Sequence, residues 1–184
     1  MRKNIVVRAP VLTRSGYGEH GRFVLRALRE REDLFEIFVF PTNWGQTGWI
    51  AENDEEREWI DHRIAAAVSH QQSGAQFDVS IQVTIPNEWE RLATYNVGVT
   101  AGIETTKLAP IWLEKANMMD RVVTISEHSK KGFVDTIYDG KNGETGQPMT
   151  LKCEVPVGIM HYPVKTYDTL PKLGLDLEYD FNFL

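Results

Sequence analysis

NIVVRAPVLTRSGYGEHGRFVLRALRER, residues 4–31, passes from a β-branched run through a turn into an amphipathic helix. Asn4 to Val11 is apolar on both alternating faces, which suits a strand covered on both sides, as in a parallel sheet. Thr13 to Gly18 supplies turn residues, and Glu19 to Arg31 places Phe23, Val24, Ala27 and Leu28 on one helical face. The same unit then repeats. Phe35 to Phe40 is a second strand ended by Pro41. Residues 46–53 form an irregular segment near Trp44 and Trp49, and a helix starts at Asp54, with Ile60, Ile64, Ala67 and Val68 inward, and stops at Ser73-Gly74. Phe77 to Ile85, Tyr95 to Ile103 and Arg121 to Ile125 read as strands three to five. Between them Pro110 to Met119 is a helix with Ile111, Leu113 and Met118 inward, and Ser126 opens another that runs to about Tyr138. Residues 139–148 (DGKNGETGQP) are a Gly-rich hairpin or loop, and Thr150 to Val157 is a sixth short strand. Parallel neighbours need a crossover that a helix supplies, so this alternation predicts an α/β, Rossmann-like parallel sheet with helices on both faces.

Composition narrows the function. The chain has 184 residues, 42% apolar and 25% charged, enough for one well-buried core. Against 20 Lys+Arg stand 26 Asp+Glu, a net charge of −6, which excludes a general phosphate-backbone binder and with it nucleic acid. The single Cys153 forms no internal disulfide, and the five histidines lack the close Cys/His spacings that hold zinc, so no metal is expected. No apolar stretch reaches transmembrane length, and the N-terminus enters a β-like run in place of a signal-peptide core; the expected location is the cytoplasm. Arg22, Arg26 and Arg29 form a basic stripe that would suit acidic headgroups at the inner membrane surface, although a solvated face is the plainer reading. Residues 1–163 are expected to be one domain, 164–180 a linker, and 181–184 the start of a truncated second domain.

In an open parallel sheet the ligand crevice lies beyond the carboxyl ends of the strands. Four segments therefore carry the candidate chemistry: Thr13 to His20, Pro41 to Trp44, Gly102 to Lys107, and Ser126 to Lys131. Gly16-Tyr17-Gly18-Glu19-His20-Gly21 matches G-x-G-x-x-G between a strand and a helix, where backbone N–H groups can approach a phosphate. An NAD site would also want an acidic residue after the second strand, where Pro41-Thr42-Asn43 stands instead; a plain tight turn, an anion loop and an NAD site all stay open. Glu104 follows a buried strand, where a carboxylate can bind hydroxyls or move a proton, or else cap a helix or pair with Lys107. Ser126 is an N-cap or a ligand contact. His20, His128, Lys130 and Lys131 lie in the same loops and could meet a sugar or phosphate.

Together these segments resemble the N-terminal domain of GT-B glycosyltransferases, the family-4-like group in particular. The resemblance rests on Gly16-Tyr17-Gly18 with HGRFVLRAL (20–28), on GIETTKLAPIWLEKANMMDRVVTISEHSKKGF (102–133), and on VPVGI (155–159). In that group a strand ends in Glu-Thr, followed by Leu-x-Pro-x-Trp, a helix, Met-Asp, a strand and Ser-x-x-Ser-Lys. It implies an acceptor-binding half of a retaining, nucleotide-sugar-dependent hexosyl transferase, with the donor-binding half in a second domain and no tightly bound cofactor. By that resemblance Gly16 and Gly18 would approach the donor's diphosphate or transferred sugar, and His20, Glu104 and Ser126 would face the cleft; the expected catalytic groups are Glu104 and His20, and the expected substrate contacts are Gly16, Tyr17, Gly18, Thr105, Ser126, His128 and Lys130. The Glu-x7-Glu pair of the second domain has no counterpart, since no two glutamates here are eight apart. Such a half would have little or no transferase activity alone, and its exposed face could support a homodimer. The rival expectations are a standalone carbohydrate-binding or complex-forming module, and an NAD-binding enzyme using GYGEHG.

Overall fold

Val6 and Val7 are adjacent, point to opposite sides of their strand and are both fully buried, so the first strand has cover on both faces. That strand is β1 (Lys3–Ala9) in the computed structural model, which describes residues 2–141 and 146–163. It is followed by α1 (Gly16–Arg29), β2 (Phe35–Pro41), α2 (Glu55–Gln72), β3 (Phe77–Val83), a 3-10 turn (Pro86–Glu88) and β4 (Ala93–Thr100). Then come α3 (Pro110–Ala116), β5 (Arg121–Thr124), α4 (Glu127–Asp135), the strands β6 (Ile137–Lys141) and β7 (Pro148–Lys152), and β8 (Val157–Ile159). The fold is α/β and Rossmann-like: six parallel strands in the order β2-β1-β3-β4-β5-β8, with β6 and β7 as a separate antiparallel hairpin. The expected linker at 164–180 and strand start at 181–184 lie outside the described residues.

Successive β5 residues divide the two faces. Val123 packs with Val7, Val39, Val83 and Val99 beside Val24 and Leu25 of α1, whereas Val122 packs with Leu113 of α3 and Phe133 of α4. Helix α2 straddles the β2 edge: Ile60 joins the α1 side, while Ala67 packs with Val6, Phe38 and Phe77 on the other.

Several expected boundaries move for local reasons. Helix α1 starts at Gly16, because Ser15 caps it through a hydrogen bond from the Gly18 N–H, so the Gly-Tyr-Gly segment is its first turn and not a loop. Val68, Ile111 and Met118, expected inward, are exposed; Ala116 and Met119 take the buried places beside Leu113. The helix after Ser126 ends at Asp135. There the buried Thr136 turns extended and its hydroxyl accepts the Leu108 N–H, so a strand begins at Ile137 and Tyr138 lies within it. The expected sixth strand is two: β7 pairs with β6, and β8 starts only after Pro156, whose carbonyl accepts the Val122 N–H.

Candidate functional site

Strand order places the reversal of winding between β1 and β3, where doubly wound sheets open a crevice at the carboxyl ends. A threonine recurs at those ends: Val83-Thr84, Val99-Thr100 and Val123-Thr124 repeat a Val-Thr pair, with Thr42 just past β2. Thr84, Thr100 and Thr124 are fully buried. The Thr42 and Thr84 hydroxyls have no hydrogen-bond partner among the described residues.

Tyr17 joins the first turn of α1 to the end of β4. Its hydroxyl lies 2.8 Å from Thr100 Oγ1 and accepts the Ala101 N–H at 3.2 Å. Burial pushes this phenol above its ordinary range, although the hydrogen bonds from Thr100 and Ala101 oppose that shift. The link continues into α4. Ser129 Oγ donates to the Ala101 carbonyl at 2.8 Å, and Ser126, the N-cap, accepts the Ser129 N–H at 3.1 Å. Gly102 permits this approach. Its φ is +89°, and a Cβ there would stand 2.6 Å from Ser129 Cβ. Three of the four segments picked from sequence are thereby tied into one rigid rim. The fourth joins through Trp44, whose ring lies 4.5 Å from that of Tyr17.

The expected site residues fall into distinct environments. Gly16 faces open space, where a Cβ would meet nothing within 4 Å, whereas a Cβ on Gly18 would stand 2.8 Å from Thr13 Oγ1 and one on Gly21 2.8 Å from Ala9 Cβ. Gly18 thus serves close packing of α1 on the loop after β1 and Gly21 on the end of β1, and of the three Gly16 alone is open to a ligand. Glu104 and Thr105 are exposed six and five residues before α3, which Ala109 precedes as N-cap, so Glu104 caps no helix. Among the described residues no hydrogen bond or ion pair engages the Glu104 carboxylate, and Lys107 instead lies over the Tyr138 ring at 4.1 Å. Thr105 donates to the Lys107 carbonyl. His128 is exposed and Lys130 half-buried on the first turn of α4.

His20 sits apart from Glu104: no hydrogen bond, ion pair or ring contact joins them among the described residues. It is 2% exposed beneath Tyr162, whose hydroxyl lies 3.4 Å from His20 Nδ1 and whose ring meets it edge-on at 4.8 Å. Burial lowers its pKa to about 4, so the imidazole is neutral at pH 7.

The basic stripe is already spent. Arg22 is buried and donates to Glu19 and to the Val11 and Thr13 carbonyls; Arg26 pairs with Glu19 and Glu56, and Arg29 with Glu55. Burial pushes Glu19 up, but hydrogen bonds from Arg26 and Arg22 outweigh it and hold the carboxyl below its ordinary range.

Sequence reasoning missed Thr100 as part of this rim, and it had Ser129 only within the Ser126 to Lys131 segment, with no contact assigned to it. The repeated Val-Thr at strand ends was the one signal for Thr100. The Ser-x-x-Ser-Lys motif contains Ser129, but nothing local showed that its hydroxyl reaches the Ala101 carbonyl. Among the described residues no group of three His, Cys, Asp or Glu side chains could hold a metal ion, and no helix is long and apolar enough to cross a membrane. No protein-family model matches the chain, and no curated protein matches it significantly.

Proposed function

We propose that this chain is the N-terminal, acceptor-side half of a GT-B glycosyltransferase of the family-4-like group. It would help move a hexosyl group, with retention, from a nucleotide-sugar to a hydroxyl of a sugar or other acceptor. One observation carries the reading. The segments that resemble that group, the first turn of α1, the Glu104 loop and the cap of α4, meet at one end of the sheet through Tyr17, Thr100, Ala101 and Ser129.

Within that reading Glu104, exposed and unpaired among the described residues, accepts hydrogen bonds from hydroxyls or takes a proton. Gly16 gives the donor diphosphate room to approach the N–H groups of the first α1 turn. Transfer also needs charge stabilisation on the leaving diphosphate, and a second, donor-binding domain would supply it. Little or no turnover is therefore expected of this chain alone. The nucleotide-sugar is a co-substrate, no cofactor is held tightly, and the place of action is the cytoplasm. Self-association through the face a second domain would cover is read by light scattering.

The NAD reading fares worse. The strand order is β2-β1-β3-β4-β5-β8, with one strand outside β1 where dinucleotide folds of order 3-2-1-4-5-6 have two, and no acidic residue stands at Pro41-Thr42-Asn43.

The test is a calorimetric titration of the chain with a panel of nucleotide-sugars and with NAD. At least one nucleotide-sugar should bind and NAD should not. Gly16→Glu, which adds a charge in open space without a clash, should weaken that binding about tenfold or more by like-charge repulsion. No binding across the panel, or binding indifferent to Gly16→Glu, overturns the reading.

A further inference from the structure

The cleft beside the β1/β3 reversal is lined by Asn43, Trp44, Gly45, Gln46, Ile85 and Glu88, and has a volume of about 550 Å³. That falls within the range of small-molecule sites, roughly 300–1,000 Å³. Its chemistry is specific. Trp44 offers a half-buried aromatic surface fixed from two directions. The Tyr17 ring packs on it at 4.5 Å, and its carbonyl accepts from both the N–H and the hydroxyl of Thr47, closing a turn in which Gly45 takes φ +50°.

Around that ring stand groups able to pair with hydroxyls. The side-chain amides of Asn43 and Gln46 and the indole N–H of Trp44 have no partner among the described residues, and each can donate. Glu88 is the one charged residue of the lining. The nearby cation is turned away, because Arg8 donates to the Glu88 backbone carbonyl at 2.7 Å and pairs with Glu90 at 3.6 Å. Thr42 and Thr84, each one residue before a lining residue, keep buried hydroxyls that no described protein atom satisfies.

An anion would meet a carboxylate here and no cation of the lining. A flat apolar ring surrounded by amides and a carboxylate instead complements a pyranose, which has an apolar C–H face and equatorial hydroxyls. We propose that the Trp44–Glu88 cleft is a subsite for an uncharged pyranose of the acceptor, stacked on Trp44 with hydroxyls donated to Glu88. This rests on the transferase reading and specifies which part of the surface holds the acceptor and what chemistry that acceptor has.

The test uses the indole N–H signals of the isotopically labelled chain. There are five tryptophans, and the signal lost in Trp44→Phe identifies Trp44. Maltose, lactose, chitobiose and inorganic pyrophosphate are titrated separately. At least one disaccharide should shift the Trp44 signal, with binding about fivefold or more weaker in Trp44→Ala and retained in Trp44→Phe, which keeps a stacking face. Glu88→Gln and the double variant Asn43→Ala/Gln46→Ala, which changes only exposed loop amides, should each weaken it as well. A shift with pyrophosphate alone, silence with all three disaccharides, or unchanged binding in Trp44→Ala overturns the subsite. Nucleotide-sugar binding sensitive to Gly16→Glu alongside silent disaccharides sinks the subsite and spares the transferase reading. Disaccharide binding at Trp44 with no nucleotide-sugar response supports the subsite and removes that reading.

Discussion

Trp89 and Gly98 show how one missing side chain organises the far face of the sheet. Trp89 is fully buried, and a Cβ on Gly98 would stand 2.7 Å from three atoms of its ring. The indole thus lies flat on β4, with the Phe133 ring 6.4 Å away. Adding a methyl group drives the ring into a filled core, an overpacking that costs about 1–3 kcal/mol. Gly98→Ala should lower the unfolding free energy by that amount, read as a lower urea midpoint with little change in slope. An unchanged midpoint would show that Trp89 can move freely. Cys153 stands at the other extreme of consequence: it is partly buried, burial raises its thiol pKa, and its Sγ points to the Val155 carbonyl, so it is an inert packing residue.

Helix caps carry unequal responsibility. Ser15, Asp54 and Ser126 each accept an N–H from three residues onward, at 2.9, 2.8 and 3.1 Å, and the acidic first turn of α2 adds a favourable dipole contact. Replacing either Asp54 or Ser126 by Ala should cost about 1 kcal/mol. The consequences at the rim should differ. Ser126 holds Ser129, which binds the Ala101 carbonyl, whereas Asp54 caps a helix on the β2 edge. Amide chemical shifts at Ala101 and Gly102 should therefore move in Ser126→Ala and stay fixed in Asp54→Ala; equal behaviour of the two would deny α4 a part in shaping the rim. Asp54 and Ser126 are readable from sequence as the starts of helices, whereas Ser15 reads as part of a turn. What the caps connect to is not readable. The far end of the Ser126 link is the Ala101 carbonyl just past β4, and no spacing within the chain announces it.

At the scale of the whole molecule, residues 160–163 cross back over α1, with Tyr162 above His20. This contact makes stability depend on acid. His20 has a pKa of about 4 when folded and about 6.5 when unfolded, so below pH 6.5 the unfolded state binds the extra proton and stability falls as pH falls. The loss grows from pH 6.5 down to about 4 and amounts to about 3 kcal/mol once both states are protonated. Urea unfolding of the chain and of His20→Phe at pH 7.5 and 4.5 should show the variant losing about 2–3 kcal/mol less than the parent. Equal losses would mean that His20 is protonated freely while folded. The alternation of strands and helices, and hence the parallel sheet, follows from side-chain period, which each short segment carries independently of the rest. Gly16, Glu104 and Ser126 could be nominated because strand ends can be located that way. The burial of Arg22 and His20, the coupling of Tyr17 to Thr100 and the aromatic cleft at Trp44 could not. They arise where segments as far apart as Tyr17 and Ala101, 84 residues, or His20 and Tyr162, 142 residues, come together. Periodicity says which face of an element is buried, but only strand order and loop closure decide what that face is buried against.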